Sequence, residues 1–107
     1  MATTQTHESR ELLGLFPDGT TRDGTGALVI GGVPADELAE TYGTPALVLD
    51  EASVRARARR YADGLAARWP NSRAVFASKA FPCTAVVRLL VEEGLGIDVA
   101  GGGELTL

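Results

Sequence analysis

The chain is 107 residues long, enough for one domain or a piece of one, and its 45% apolar content supports a core of ordinary size. Ten basic against fourteen acidic residues give a formal charge of −4, with no basic stripe interleaved with aromatics, which argues against nucleic-acid binding. The apolar runs are too short to span a bilayer, the opening residues lack the apolar segment of a signal peptide, and a single cysteine, Cys83, cannot form an intrachain disulfide; a soluble, cytoplasmic protein is expected.

Residues 1–10 are polar and aperiodic and are expected to form a disordered tail, which holds the only histidine, His7. Residues 11–45 read as an N-terminal arm with one short strand and one helix. Within it, Pro17-Asp18-Gly19 is a turn in which proline presets φ and glycine accepts a positive φ. The run from Ala27 to Val33 predicts a strand closed by Gly31-Gly32. Pro34 is placed in the first turn of a helix over 35–43, with acidic residues early and Gly43 as its stop.

Residues 46–107 read as alternating strands and helices. A strand over Ala46 to Leu49 ends at Asp50, a suitable N-cap. In the helix that follows, Val54, Ala58, Tyr61, Ala62, Leu65 and Trp69 recur at helical spacing and predict the inward face. Arg55, Arg59 and Arg60 fall on the opposite, solvated side. A strand over Ala74 to Ser78 leads to Lys79, and a helix from about Pro82 to Glu93 points Val86, Leu89 and Leu90 inward and stops at Gly94. A third strand over Gly96 to Ala100 precedes a glycine turn into a further helix start. The order strand, helix, strand, helix, strand predicts a parallel α/β arrangement, either an open sheet or the opening units of a (β/α)8 barrel, which when complete needs roughly 250 residues. The end of the chain at a helix start favours an opening fragment.

Lys79 is the only lysine. An amine at the end of a buried strand is suited to imine chemistry, because an apolar setting disfavours the ammonium form. Strand alternation sets Val75, Ala77 and Lys79 on one face, and turning Phe76, Ile97 and Val99 toward the helices leaves Lys79 and Asp98 together on the interior face, near the carboxyl ends of adjacent strands. Active sites gather at that end in both architectures; a structural ion pair fits the same positions. The glycines at 101 and 103 do not continue into a GxGxxG pattern, no glycine loop precedes Lys79, and no cysteine–histidine cluster has metal-ligand spacing. Cys83 reads as a small buried residue near a helix start.

The segment "FASKAF", a helix, and then "GLGIDVAGGGEL" resemble the pyridoxal-phosphate lysine region of the alanine-racemase-like barrel enzymes, the group IV decarboxylases. "LVIGGV", "ELAETYGTPALVLDE" and "VRARARRY" extend the likeness over nearly the whole chain, and "GGEL" is similar to the diaminopimelate decarboxylase family in particular. The resemblance implies a parallel (β/α)8 TIM-like barrel, here incomplete and preceded by an N-terminal arm, and pyridoxal 5'-phosphate as cofactor. It implies Lys79 as the residue that forms the imine with that cofactor and Asp98 as the acidic residue near it. It further implies decarboxylation of meso-2,6-diaminopimelate to L-lysine and CO2, a homodimer, and phosphate-binding and C-terminal site residues beyond Leu107, so that these 107 residues alone are expected to be inactive. Phe81 and Gly101 depart from the commoner family residues, Asn and Ser. A non-catalytic pyridoxal-phosphate-binding protein, another group IV amino-acid decarboxylase, and an open α/β domain with an incidental lysine remain as alternatives.

Overall fold

The computed structural model describes residues 12–107, and the expected tail with His7 lies outside them. The chain divides into two compact units between Ser53 and Val54.

In the first unit, three short strands, β1 (Thr21–Arg22), β2 (Leu28–Ile30) and β3 (Val33–Pro34), pair antiparallel in sequence order. Consecutive positive φ angles at Gly31 (58°) and Gly32 (83°) make the two-residue turn that brings Ile30 opposite Val33. Such a mirror-image turn matches the twist of its strands, and glycine adopts it without Cβ strain. The β1–β2 loop is held by Asp23, whose Oδ1 accepts the Thr25 hydroxyl (2.6 Å) and the N–H groups of Thr25 (2.8 Å) and Ala27 (3.0 Å). Those bonds, the Thr25 hydroxyl first, lower the Asp23 pKa.

Two expectations change here. Pro34 belongs to β3 opposite Val29 rather than to the helix, because an edge position does not require the N–H that proline lacks. The segment over Ala46 to Leu49 carries no regular secondary structure: none of the described residues pairs with it, and Leu47 and Leu49 are exposed. An apolar run marks a segment fit for a sheet, and only a partner's ladder makes it a strand. Helix α1 (Ala35–Tyr42) carries Asp36 and Glu37 in its first turn and ends at Gly43, whose N–H donates to the Ala39 carbonyl (2.9 Å).

Helix α2 (Glu51–Ala66) starts in the first unit, where Asp50 caps it: Oδ1 accepts the Ala52 N–H (3.0 Å) and Oδ2 lies 2.8 Å from Ser53 Oγ. Ser53 Oγ is also 3.0 Å from the Asp18 carbonyl oxygen, so one hydroxyl proton faces two acceptors.

In the second unit, β4 (Val75–Ala77), α3 (Thr84–Glu92) and β5 (Gly96–Asp98) form one strand–helix–strand unit. The two strands are parallel, with Val75, Phe76 and Ala77 opposite Gly96, Ile97 and Asp98. Ala58, Leu90 and Leu95 form the buried centre, and Val54, Ala62, Ala74, Phe76, Val86 and Ile97 pack around it. The expected inward residues Tyr61 and Trp69 are instead exposed, and so is Val99, which lies beyond the end of β5. The α2 residues that meet the core are Val54, Ala58 and Ala62, and Trp69 lies beyond the end of that helix.

α3 ends in a double-bonded glycine cap. The Gly94 N–H donates to the Val91 carbonyl (2.9 Å) and the Leu95 N–H to the Leu90 carbonyl (3.1 Å), with Gly94 at φ 89°. This is the Schellman arrangement, and Leu90 and Leu95 are the apolar pair that accompanies it.

Arg55 and Arg59 are not a merely solvated face. Arg55 donates to Glu92 Oε2 (2.8 Å) and Glu93 Oε1 (2.9 Å), and Arg59 to Glu93 Oε2 (3.0 Å). These pairs tie α2 to the last turn of α3, where carboxylates alone would oppose the helix dipole. No helix of the described residues is long and apolar enough to cross a membrane.

Candidate functional site

β4 ends at Ala77, one residue short of the expected strand end, and the chain turns there. Ser78–Ala80 form a single 3-10 turn, closed by the Phe81 N–H donating to the Ser78 carbonyl (3.1 Å). Lys79 therefore sits on the turn, not on the strand, and is exposed rather than buried. The expected alternation fails there because it holds only while the backbone stays extended.

Ser78 holds the turn. It is fully buried, and its Oγ lies 2.6 Å from Glu104 Oε1 and 2.9 Å from the Asp98 carbonyl oxygen. The second Glu104 oxygen accepts the N–H groups of Ala100 (2.8 Å) and Gly101 (2.9 Å). Glu104 lies in α4 (Gly102–Leu105), and its reach back to Gly101 is half of a capping box; glycine at the cap cannot supply the other half. One carboxylate thus joins the loop after β5 to the turn after β4. The Ser78 hydroxyl, then the Ala100 and Gly101 N–H groups, lower the Glu104 pKa against partial burial, and the Lys79 charge adds to the effect.

Asp98 is the last residue of β5 and lies opposite Ala77, on the side of the pair away from Phe76 and Ile97. That is the face expected for it. Its backbone carbonyl faces Ser78, while its side chain is exposed. Cys83, half-buried, occupies the N-cap of α3, so that helix begins at Thr84 rather than near Pro82.

Among the described residues no hydrogen bond or ion pair engages the Lys79 amine. A free primary amine, held on a short turn at the carboxyl ends of two parallel strands, can add to a carbonyl carbon once it loses its proton. The described residues contain no group of three or more His, Cys, Asp or Glu able to hold a metal ion. Ser78 and Glu104 had a visible signal in the sequence, a polar residue closing an apolar strand and a glutamate three positions after a turn residue, although their pairing spans 26 positions.

Comparison with known proteins places these elements in a family. Residues 51–107 match the family described as pyridoxal-dependent decarboxylase, pyridoxal binding domain. The chain is 50% identical over 94 residues to a diaminopimelate decarboxylase of Actinosynnema pretiosum subsp. auranticum, covering 88% of this chain and 20% of that protein. It is 44% identical over 93 residues to that of Mycobacterium bovis (87% and 20%) and 45% identical over 92 residues to that of Bacillus subtilis (85% and 21%). The chain spans about a fifth of the length of these curated relatives. With the β4 turn, α3, β5 and the glycine loop all inside the matched segment, the chain belongs to the pyridoxal-dependent decarboxylases, and residues 51–107 are part of their pyridoxal-binding domain.

Proposed function

We propose that this chain is the N-terminal portion of a pyridoxal-phosphate-dependent decarboxylase that converts meso-2,6-diaminopimelate to L-lysine and CO2, with Lys79 as the cofactor lysine and Asp98 as a cofactor-site carboxylate. The observation that carries this reading is the unengaged Lys79 amine on its fixed turn, inside the segment that matches the pyridoxal-binding family. The donor chemistry suits the group. An aldehyde cofactor needs one accessible amine that no carboxylate holds in an ion pair; the chain has a single lysine, and among the described residues no carboxylate pairs with it.

Lys79 would hold the cofactor through its Nζ, the amine that an aldehyde group requires. When not bonded to the cofactor, the Lys79 amine would be placed to carry a proton to or from the reacting carbon. Pyridoxal phosphate, when bound, supplies a ring that accepts the electron pair left behind by the departing CO2. Asp98, at the corresponding end of the neighbouring strand, would supply negative charge to the site. In this reading the β4–α3–β5 unit belongs to the opening of a (β/α)8 barrel, the arm over 11–45 precedes it, and the whole enzyme is a homodimer.

Borohydride reduction of the full-length protein with pyridoxal phosphate, followed by peptide mapping, tests the site. A label on Lys79 is expected; a label on any other residue overturns the assignment. Release of CO2 from diaminopimelate, but not from ornithine or arginine, is expected for the substrate. Preference for either of the latter would replace it.

A further inference from the structure

We propose that Ser78 and Glu104 are positioning residues for the Lys79 amine: together they latch the Lys79 turn onto the loop that follows β5. The inference rests on the reading of Lys79 as the cofactor lysine. Three observations carry it. Ser78 is the residue immediately before Lys79 and is fully buried, so its side chain cannot swing without moving the turn. Its single hydroxyl proton faces a carboxylate oxygen at 2.6 Å, with a strand-end carbonyl at 2.9 Å as the alternative acceptor, and the shorter bond to the carboxylate ties the turn to the loop after β5. The same carboxylate is held from the other side by two backbone N–H groups, at 2.8 and 2.9 Å, which fix where it stands.

Without the latch, Lys79 remains on a three-residue turn closed by one backbone hydrogen bond. A turn that loose presents its amine over a range of directions, and a small misplacement of a reacting group lowers a rate steeply. Glu104 acts here through Ser78 and the backbone, not by touching the carbonyl.

The test uses the full-length protein and two variants, Ser78→Ala and Glu104→Gln. Ser78→Ala removes a single oxygen from a filled position. Glu104→Gln keeps one oxygen but sets an amide against the N–H groups. Three quantities are measured: the melting temperature, the rate at which added pyridoxal phosphate becomes borohydride-trappable at residue 79, and the exchange rates of the Ala100 and Gly101 amides. Ser78→Ala is expected to melt near the wild-type temperature while capturing the aldehyde about tenfold more slowly. Its Ala100 and Gly101 amides stay protected, whereas Glu104→Gln exposes both to exchange.

Capture by Ser78→Ala at the wild-type rate overturns the inference, and so does a slowing matched by loss of fold. If Glu104→Gln does not fold, Ser78→Ala alone decides. Trapping at a residue other than 79 in the wild-type protein would instead refute the underlying assignment of Lys79, which separates the two failures.

Discussion

Gly94→Ala isolates backbone strain from packing. Gly94 has a φ of 89°, and a Cβ built there meets no atom within 4 Å. The substitution therefore adds no collision, and its cost is the left-handed conformation itself, about 1–2 kcal/mol for a residue with a Cβ. The Schellman cap fixes that conformation, because Gly94 and Leu95 both donate back into α3 and the Leu90–Leu95 pair sits at the centre of the core. Gly102→Ala is the matched control. Its added Cβ also meets nothing within 4 Å, but its φ lies outside the left-handed range, at the first position of α4. Alanine there is expected to be neutral or stabilising by up to about 1 kcal/mol. Urea unfolding of the full-length protein, followed by far-ultraviolet circular dichroism, measures both variants as midpoint shifts at constant slope. Equal effects of the two substitutions, or no loss in Gly94→Ala, would refute the strain argument.

Leu90→Ala opens a cavity against Ala58 and Leu95 and is expected to cost about 2–5 kcal/mol by the same measurement, against less than about 1.5 for Leu90→Met. Asp50→Ala removes the acceptor of the Ala52 N–H at the start of α2, an expected loss of about 1 kcal/mol. The Glu93 carboxyl lies below its ordinary pKa of 4.5 because Arg55 donates to it and both arginine charges favour its ionised form, against the opposing effect of burial. Its stabilising contribution is present above the unfolded pKa and is lost as pH falls through the folded one, so stability declines below about pH 4.5. In Arg55→Ala that decline is shallower, which urea midpoints measured from neutral to acid pH reveal. A decline as steep as wild type would exclude Arg55 as its source.

Local chemistry made much of the fold legible from the residues alone. Gly43 and Gly94 end helices, Asp50 begins one, and Phe76 and Ile97 turn toward the core as alternation requires. Long-range contacts account for the differences. Whether Ala46 to Leu49 becomes a strand depends on a partner, not on its own apolar run. The Arg55 and Arg59 pairs join residues 34 to 38 positions apart, beyond the reach of helical periodicity. Near the candidate site, the side of the sheet on which Asp98 lies was legible from strand alternation. The turn that carries Lys79 was not, because Ser78 is held by a glutamate 26 residues later.

The register of the strands also orders their assembly in time. The β2–β3 hairpin closes across its two-glycine turn, whereas Val75 meets Gly96 only after the whole α3 crossover, about seven times as far along the chain as Ile30 from Val33. Loop-closure entropy then disfavours the parallel pair by about 1.7 kcal/mol more than the hairpin, before any contact repays it. The hairpin is expected to form early and the Lys79 turn late, after α3 has docked. Pulse-labelled hydrogen exchange during refolding should protect the β2 amides ahead of those of β5, and the reverse order would contradict this sequence of events. A lesion in α3, far from any chemistry, would then first become visible as slower arrival of a competent amine.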